Sequence, residues 1–89
     1  MPSIACAQRL RDVGPTEPVW VEGETLAEAL ASLRVDYPRL QHYVLDDQGR
    51  VRKHVAVFID GTLCQREEAL EHRLSDDAQV LFLQALSGG

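Results

Sequence analysis

The segment from Thr25 to Pro38 constrains the fold most, because it combines a helix start, an apolar stripe and a helix stop. Thr25-Leu26-Ala27-Glu28 has the form of a capping box. In this motif the Thr25 side chain accepts a hydrogen bond from a backbone N–H of the first helical turn, and the Glu28 side chain accepts one from the backbone N–H of the cap residue. Pro38 disfavours the α conformation for Tyr37 and ends the pattern. The sequence therefore predicts one main helix, whose buried stripe consists of Leu26, Ala29, Leu30, Leu33 and Tyr37.

The residues before this helix predict a β-hairpin. Between Ser3 and Leu10 the apolar residues Ile4, Cys6 and Leu10 all lie at even-numbered positions, which is typical of a strand with one buried face. Gly14-Pro15 favours a turn, and the short β-branched segment from Pro18 to Glu22 follows it. We therefore expect two adjacent antiparallel strands.

The residues after the helix predict three further strands. Val55 to Ile59 is a central strand candidate, and Asp60-Gly61 suits a type I′ turn into a short edge strand over 62–64. Residues 65–74 are polar and predict a loop or short 3₁₀ turn. The last predicted strand runs from Gln79 to Leu86, and residues 40–45 are assigned to no element.

These elements predict an α+β domain, in which one main helix covers one face of a mixed sheet. Because the helix follows the first hairpin, we expect the last strand to pair in parallel with the first, which is a β-grasp arrangement. A chain of 89 residues is long enough for one such core only. We expect residues 1–86 to form this domain and residues 87–89 to form a flexible C-terminal tail.

The charge of the chain argues against two classes of partner. Fourteen acidic and nine basic residues give a formal net charge of −5, which repels nucleic acids and anionic membranes over most of the surface. No apolar run approaches the ~20 residues that span a bilayer, and the first residues lack the basic segment of a signal peptide. We expect a cytoplasmic protein that binds neither nucleic acid nor membrane.

The side chains that usually carry catalysis are sparse. Cys6 and Cys64 lie far apart with no second cysteine or histidine at ligand spacing, so we interpret both as small core or near-surface residues. His42, His54 and His72 belong to no catalytic or metal-binding motif. We therefore predict no metal site and no bound cofactor.

The end of the sequence, Ser87-Gly88-Gly89, is the feature that indicates chemistry. At average glycine usage two final glycines occur by chance about 0.5% of the time. Glycine has no Cβ, so a tail of this kind enters a narrow channel that excludes bulkier residues. In this interpretation the Gly89 carboxylate is the reacting group.

Several segments together resemble the ubiquitin-like sulfur-carrier proteins, which include the small subunit of molybdopterin synthase and the thiamine-biosynthesis carrier. The resemblance covers roughly the whole chain and is closest to the longer carriers that serve cysteine or thioacid metabolite synthesis. Its most specific parts are Phe58 to Gly61 and Gly88-Gly89. The other similar segments are Tyr37-Pro38-Arg39-Leu40, Asp47-Gln48-Gly49-Arg50-Val51-Arg52, Val55-Ala56-Val57, Leu74-Ser75-Asp76-Asp77, and Val80 with Phe82.

The resemblance implies a mechanism for the tail. A ubiquitin-activating-type enzyme uses ATP to adenylate Gly89, sulfur displaces AMP, and the resulting Gly89 thiocarboxylate donates sulfur to an acceptor biosynthetic enzyme. The chain is then a co-substrate or a small sulfurtransferase subunit, and is no enzyme by itself. With Val80 and Phe82 in the core, we expect Leu81, Leu83 and Leu86 to form an outward apolar patch that binds these partners. The patch is alternatively covered by another strand or by a second copy of the chain.

Two other functions fit the same sequence. In the first, the chain is a ubiquitin-like protein modifier whose Gly89 is joined to lysines of target proteins; its own single lysine, Lys53, limits chain building. In the second, it is a β-grasp binding module or subunit whose tail is chemically inert. Within the carrier class, the sequence does not distinguish the pathways that receive the sulfur.

Overall fold

The computed structural model describes residues 1–84, and the predicted boundary between domain and tail after residue 86 lies outside them. The described chain forms five strands, three short α-helices and one 3₁₀ helix. In chain order these are β1 (Ser3–Cys6), the 3₁₀ helix (Gln8–Asp12), β2 (Val19–Trp20), α1 (Leu26–Ala31), α2 (Pro38–Val44), β3 (Val55–Ile59), β4 (Thr62–Cys64), α3 (Arg66–Ala69) and β5 (Gln79–Gln84).

The strands form one mixed sheet in the order β2-β1-β5-β3-β4. β5 lies in the middle, parallel to β1 and antiparallel to β3. The two edge strands are antiparallel to their neighbours. The predicted α+β fold with a ubiquitin-like β-grasp sheet is therefore confirmed.

The core lies between one face of this sheet and the helices, which we call the inner side. Alternate strand residues point into it, as the burial of Val55, Val57 and Ile59 on β3 shows. Burying apolar surface stabilises a fold by about 25 cal/mol per Å², so this layer supplies most of the favourable free energy of folding. Its largest fully buried side chains are Phe82, Ile4, Leu26, Leu30, Leu40, Val44, Val51 and Val57.

The start of α1 confirms the predicted capping box, with one difference. Thr25 Oγ1 accepts from the backbone N–H of Glu28 at 3.3 Å. Glu28 Oε1 accepts from the N–H of Glu24 at 3.0 Å, one residue before the predicted cap. The helix is shorter than expected and ends at Ala31, although turns continue to Tyr37, whose N–H donates to Leu33 O. Leu33 is still buried, so the stripe extends beyond the regular helix.

Two helices, α1 and α2, pack on the inner face, where the sequence predicts one main helix. Pro38 ends the first pattern and also begins α2, because proline fits the first turn of a helix, where its missing N–H costs no hydrogen bond. Leu40 and Val44, four residues apart, are fully buried on one face of α2. The side chain of Gln41 donates to Leu30 O at 2.8 Å and connects the two helical segments.

The first strand is shorter than the predicted Ser3 to Leu10. β1 ends at Cys6, and Gln8 has a φ of 56°, a left-handed conformation that ends the extended chain. The 3₁₀ helix that follows still buries Leu10. The shared parity of Ile4, Cys6 and Leu10 therefore predicted burial correctly, while it predicted the wrong secondary structure for Leu10.

The β3–β4 hairpin and the region after it follow the sequence closely. Asp60 and Gly61 have φ values of 53° and 82°, as a type I′ turn requires. Asp60 Oδ1 also accepts from the N–H of Gln79 at 2.9 Å, which connects this turn to the start of β5. Residues 65–74, predicted as a loop or short 3₁₀ turn, instead contain the short α-helix α3, where Ala69 is buried against the core.

Candidate functional site

The face of the sheet opposite the helices, here called the outer face, is apolar. The register of β5 places Leu81 beside Ala5 of β1 and Phe58 of β3, and Leu83 beside Ala56. The four neighbours Ala5, Ala56, Phe58 and Leu81 are half-buried, as is Leu83. Val80 and Phe82, which alternate with these leucines, are buried on the inner side. Both faces of the central strand are therefore apolar, and the helices within residues 1–84 cover only one of them.

A groove of about 640 Å³ lies on the outer face. Its lining includes apolar side chains from four segments of the chain, so it forms only when the sheet is assembled. Concave apolar surfaces with a few polar groups are the usual form of binding sites. The lining residues that define it are Ala5, Trp20, Phe58, Gly61, Leu81 and Leu83.

Trp20 is the largest side chain on this face, and 70% of it is exposed. It is the only tryptophan of the chain and lies on the two-residue edge strand β2. Its register partner is Ser3, which places it on the same face as Ala5. Exposed tryptophans are enriched among the residues that dominate protein interfaces. The sequence pattern predicts a strand at Trp20 and indicates no role for this side chain.

Two of the predicted partner-binding residues, Leu81 and Leu83, lie together on the outer face. Phe58, Ala5 and Trp20 lie on the same face, and the sequence pattern indicates no function for these three. Because Val57, Phe58 and Ile59 are all apolar, periodicity does not tell which of them points outward. The pairing of β3 with β5 supplies that information. The other predicted site residues, Leu86, Ser87, Gly88 and Gly89, lie outside the described residues.

The two cysteine thiols are poorly suited to carry sulfur themselves. Cys6 is 3% exposed, and this burial raises the pKa of its thiol to about 12. Burial, and to a smaller extent the nearby carboxylate of Glu68, raise the pKa of Cys64 above its ordinary value. The thiolate is the reactive form of cysteine, so both shifts lower reactivity at neutral pH. This agrees with the interpretation of both as core or near-surface residues.

Other titratable side chains form no catalytic group in the described part of the chain. His42, His54 and His72 are exposed. Within residues 1–84, no three side chains of His, Cys, Asp or Glu are placed to hold a metal ion together. Asp46 Oδ1 accepts from the N–H groups of Gln48 and Arg50, and the hydrogen bond from Arg50 is the main cause of its lowered pKa. Asp46 therefore organises a turn.

The described residues also contain no membrane-spanning helix, since none of their helices has the length and apolar character that crossing a bilayer requires.

Several solved structures have the same fold. The small archaeal modifier protein 1 (SAMP1) of Methanosarcina acetivorans is 24% identical, with a TM-score of 0.79 over 99% of this chain and 95% of that one. CysO of Mycobacterium tuberculosis is 18% identical, with a TM-score of 0.82 over 97% of this chain and 100% of that one. A chain of the Amycolatopsis orientalis BexX/CysO complex is 17% identical, with a TM-score of 0.82 and full coverage of both chains.

These identities are low, so the likeness is one of fold. No curated protein matches the sequence. The profile of the ThiS family, in contrast, matches residues 7–89, which is almost the whole sequence and includes Gly88-Gly89. The chain therefore belongs to the ThiS family, and it has the ubiquitin-like β-grasp fold of the sulfur carriers that it resembles.

Proposed function

We propose that this protein is a sulfur carrier whose Gly89 carboxylate is activated with ATP and converted to a thiocarboxylate. The observation that carries the proposal is the ThiS family match, because it continues through Gly88-Gly89. The raised pKa values of both cysteines support it further, since they leave the carboxylate as the better place to hold the transferred sulfur.

The proposed chemistry has two steps, and a partner enzyme catalyses both. An oxygen of the Gly89 carboxylate attacks the α-phosphorus of ATP, pyrophosphate leaves, and a mixed anhydride with AMP forms. Sulfide then attacks the carbonyl carbon, and the bond to AMP breaks to leave the thiocarboxylate. If a protein persulfide attacks instead, the product is an acyl disulfide, which a thiol reduces to the thiocarboxylate. The activation converts a poor electrophile into a good one.

The contribution of this chain is to present the tail and to dock. Its outer face has the apolar character of a protein-binding surface, and Leu81 and Leu83 lie on the strand that leads to the tail. We assign to this face, together with Leu86, the binding of the adenylating enzyme and of the sulfur-accepting biosynthetic enzyme. The assignment is supported by the structure of Amycolatopsis orientalis CysO, a protein of this fold, which was solved in complex with another protein, BexX.

Protein modification is a second candidate, because one structural neighbour of this fold is named a modifier protein. In that function, Gly89 would be joined through its activated carboxylate to lysine side chains of targets. Lysine-linked conjugates in extracts of the source cells would then contain the tail sequence, whereas a carrier alone forms none.

Intact mass spectrometry tests the proposal. The protein is incubated with ATP, a sulfide source and the adenylating enzyme from the same genome, and a Gly89-deleted variant serves as the matched control. The expected result is a mass gain equal to the exchange of one oxygen for sulfur in the wild type only. If the adenylating enzyme is active on a substrate it is known to activate, and the wild-type mass still does not rise, the result would contradict the proposal. It would favour a chemically inert tail.

A further inference from the structure

The sheet register determines which residues surround the two ends of the central strand β5. At its C-terminal end, the N–H of Ala7 donates to Phe82 O at 2.9 Å, and Val55 pairs with Gln84. The segment that leaves β1 and the segment that enters β3 therefore lie on either side of the point where the chain continues beyond Gln84.

These two flanking segments are cationic. Residues 7–11 contain Arg9 and Arg11, residues 52–54 contain Arg52 and Lys53, and neither segment contains an acidic residue. Asp12 directly after the first segment is the nearest acidic residue in sequence. Arg9, Arg11 and Lys53 are exposed, and within residues 1–84 none of the three forms an ion pair. Arg52 Nε donates to His42 O of α2 at 3.0 Å, so its side chain turns to the helical side. We call Arg9, Arg11 and Lys53 the cationic flanks.

The opposite end of β5 is acidic. The N–H of Asp60 donates to Gln79 O at 2.8 Å, which places the β3–β4 turn beside the start of β5. Asp76 and Asp77 precede β5 directly, and residues 60–61 and 75–78 contain no lysine or arginine. The three carboxylates of this acidic end are exposed. The apolar outer face therefore extends between a cationic and an acidic border, along the strand that leads to the tail.

We propose that the outer face docks a protein partner with the complementary polarity: acidic residues around the channel that receives the tail, and basic residues at the far end. The inference rests on the proposed function, since it concerns the enzyme that acts on Gly89. A nucleic acid is a poorer match for this surface, because the net charge of −5 and the acidic end repel a phosphate backbone. An apolar centre with charged borders is the usual composition of a protein interface.

The opposite charges at the two ends of the outer face orient the partner during encounter. The tail therefore lies at its channel when the apolar surfaces come into contact. Complementary charge raises association rates by about 10- to 1,000-fold at low ionic strength, and salt removes the effect. The cationic flanks should therefore act on the association rate and on KM, and hardly on kcat.

A pair of double variants with equal change in net charge tests this. Arg9→Glu with Lys53→Glu reverses one charge in each flank. Arg34→Glu with Arg39→Glu reverses two exposed charges on the helical side of the molecule, away from the outer face. Stopped-flow anisotropy measures association of each labelled protein with the adenylating enzyme without ATP, at 20 mM and 500 mM NaCl. Thermal unfolding by circular dichroism confirms that both variants fold.

The proposal predicts at least tenfold slower association for the flank variant at 20 mM NaCl, at most threefold for the helical-side variant, and similar rates for all three proteins at 500 mM. Equal slowing of both variants would overturn it, because net charge alone would then explain the effect. Absence of wild-type binding would overturn it too. So would tight binding of a 30-base-pair DNA duplex that depends on Arg9 and Lys53. A wild type that binds the enzyme but never gains sulfur would contradict the proposed function, while the rate comparison would still decide the polarity.

Discussion

The inner and outer faces of the sheet have similar apolar side chains and opposite surroundings. On β5, Phe82 and Val80 are buried under the helices, whereas Leu81 and Leu83 on the same strand stay half-exposed. Apolar residues on the inner face contribute to folding by leaving water during folding itself. Under the proposed function, those on the outer face leave water only when a partner covers them. The alternation of one strand would then separate the residues for stability from those for recognition.

The largest effect is expected on the inner face, from Phe82→Ala. Phe82 is fully buried in the centre of the core, so the substitution leaves a cavity and should lower the free energy of unfolding by about 3–5 kcal/mol. Urea denaturation followed by circular dichroism measures this. A loss below about 1 kcal/mol would mean that the inner side is not the packed core of the molecule.

On the outer face, Leu83→Asp should leave the protein folded and strongly weaken its binding to the adenylating enzyme. A charge in the middle of the apolar outer face would be desolvated by the partner, so we expect the affinity for the adenylating enzyme to fall at least about thirtyfold, or about 2 kcal/mol. Val35→Asp is the matched control, because Val35 is 88% exposed in the turn after α1. Wild-type affinity and adenylation rates in Leu83→Asp would refute the role of this face.

Trp20→Ala is a milder test of the same surface at its edge. Because the side chain is mostly exposed, its removal should change stability by no more than about 0.5 kcal/mol. The affinity for the partner should fall about tenfold, as is common when an interface tryptophan is truncated. Isothermal titration calorimetry gives the affinity, and an unchanged value would exclude Trp20 from the interface.

The smallest expected effect concerns the inner face at alkaline pH. Burial raises the folded-state pKa of Cys6 from 9.0 to about 12, so above pH 9 the unfolded chain releases a proton that the folded chain retains. Stability should therefore fall as the pH rises from 9 to 12, by about 1 kcal/mol at pH 10. Cys6→Ala should lack this part of the pH dependence, although its cavity lowers stability at every pH. If the free energy of unfolding fell equally steeply with pH in the wild type and in Cys6→Ala, the raised pKa of Cys6 would not be its cause.

The parts of the fold that local chemistry determines could be predicted from sequence. The Thr25 cap of α1 and the Asp60-Gly61 turn depend on neighbouring residues, and both formed as expected, although Glu28 accepts from the N–H of Glu24 and not from that of Thr25. The missed helix α2 shows the limit. Pro38 was interpreted only as a helix stop, although proline also favours a first helical turn, and the spacing of Leu40 and Val44 was not used.

The site was predictable in part for a related reason. Alternation along β5 identified Leu81 and Leu83, because every second residue of a strand shares a face. Trp20, Phe58 and Ala5 join them through the pairing of strands distant in sequence, and register of that kind is not encoded locally. The charged borders required the same information, since Arg9 and Lys53 flank β5 only after the sheet has assembled.

The central claim, that partners meet the outer face, is tested most directly by labelling Trp20. Since it is the only tryptophan, protein made with 5-fluorotryptophan gives one ¹⁹F resonance that reports on this face even when the partner is large and unlabelled. The account predicts that this resonance shifts or broadens as the adenylating enzyme is added, and reaches its end point at the stoichiometry found by calorimetry. An unchanged resonance at calorimetric saturation would show that the partner binds elsewhere and would contradict the account.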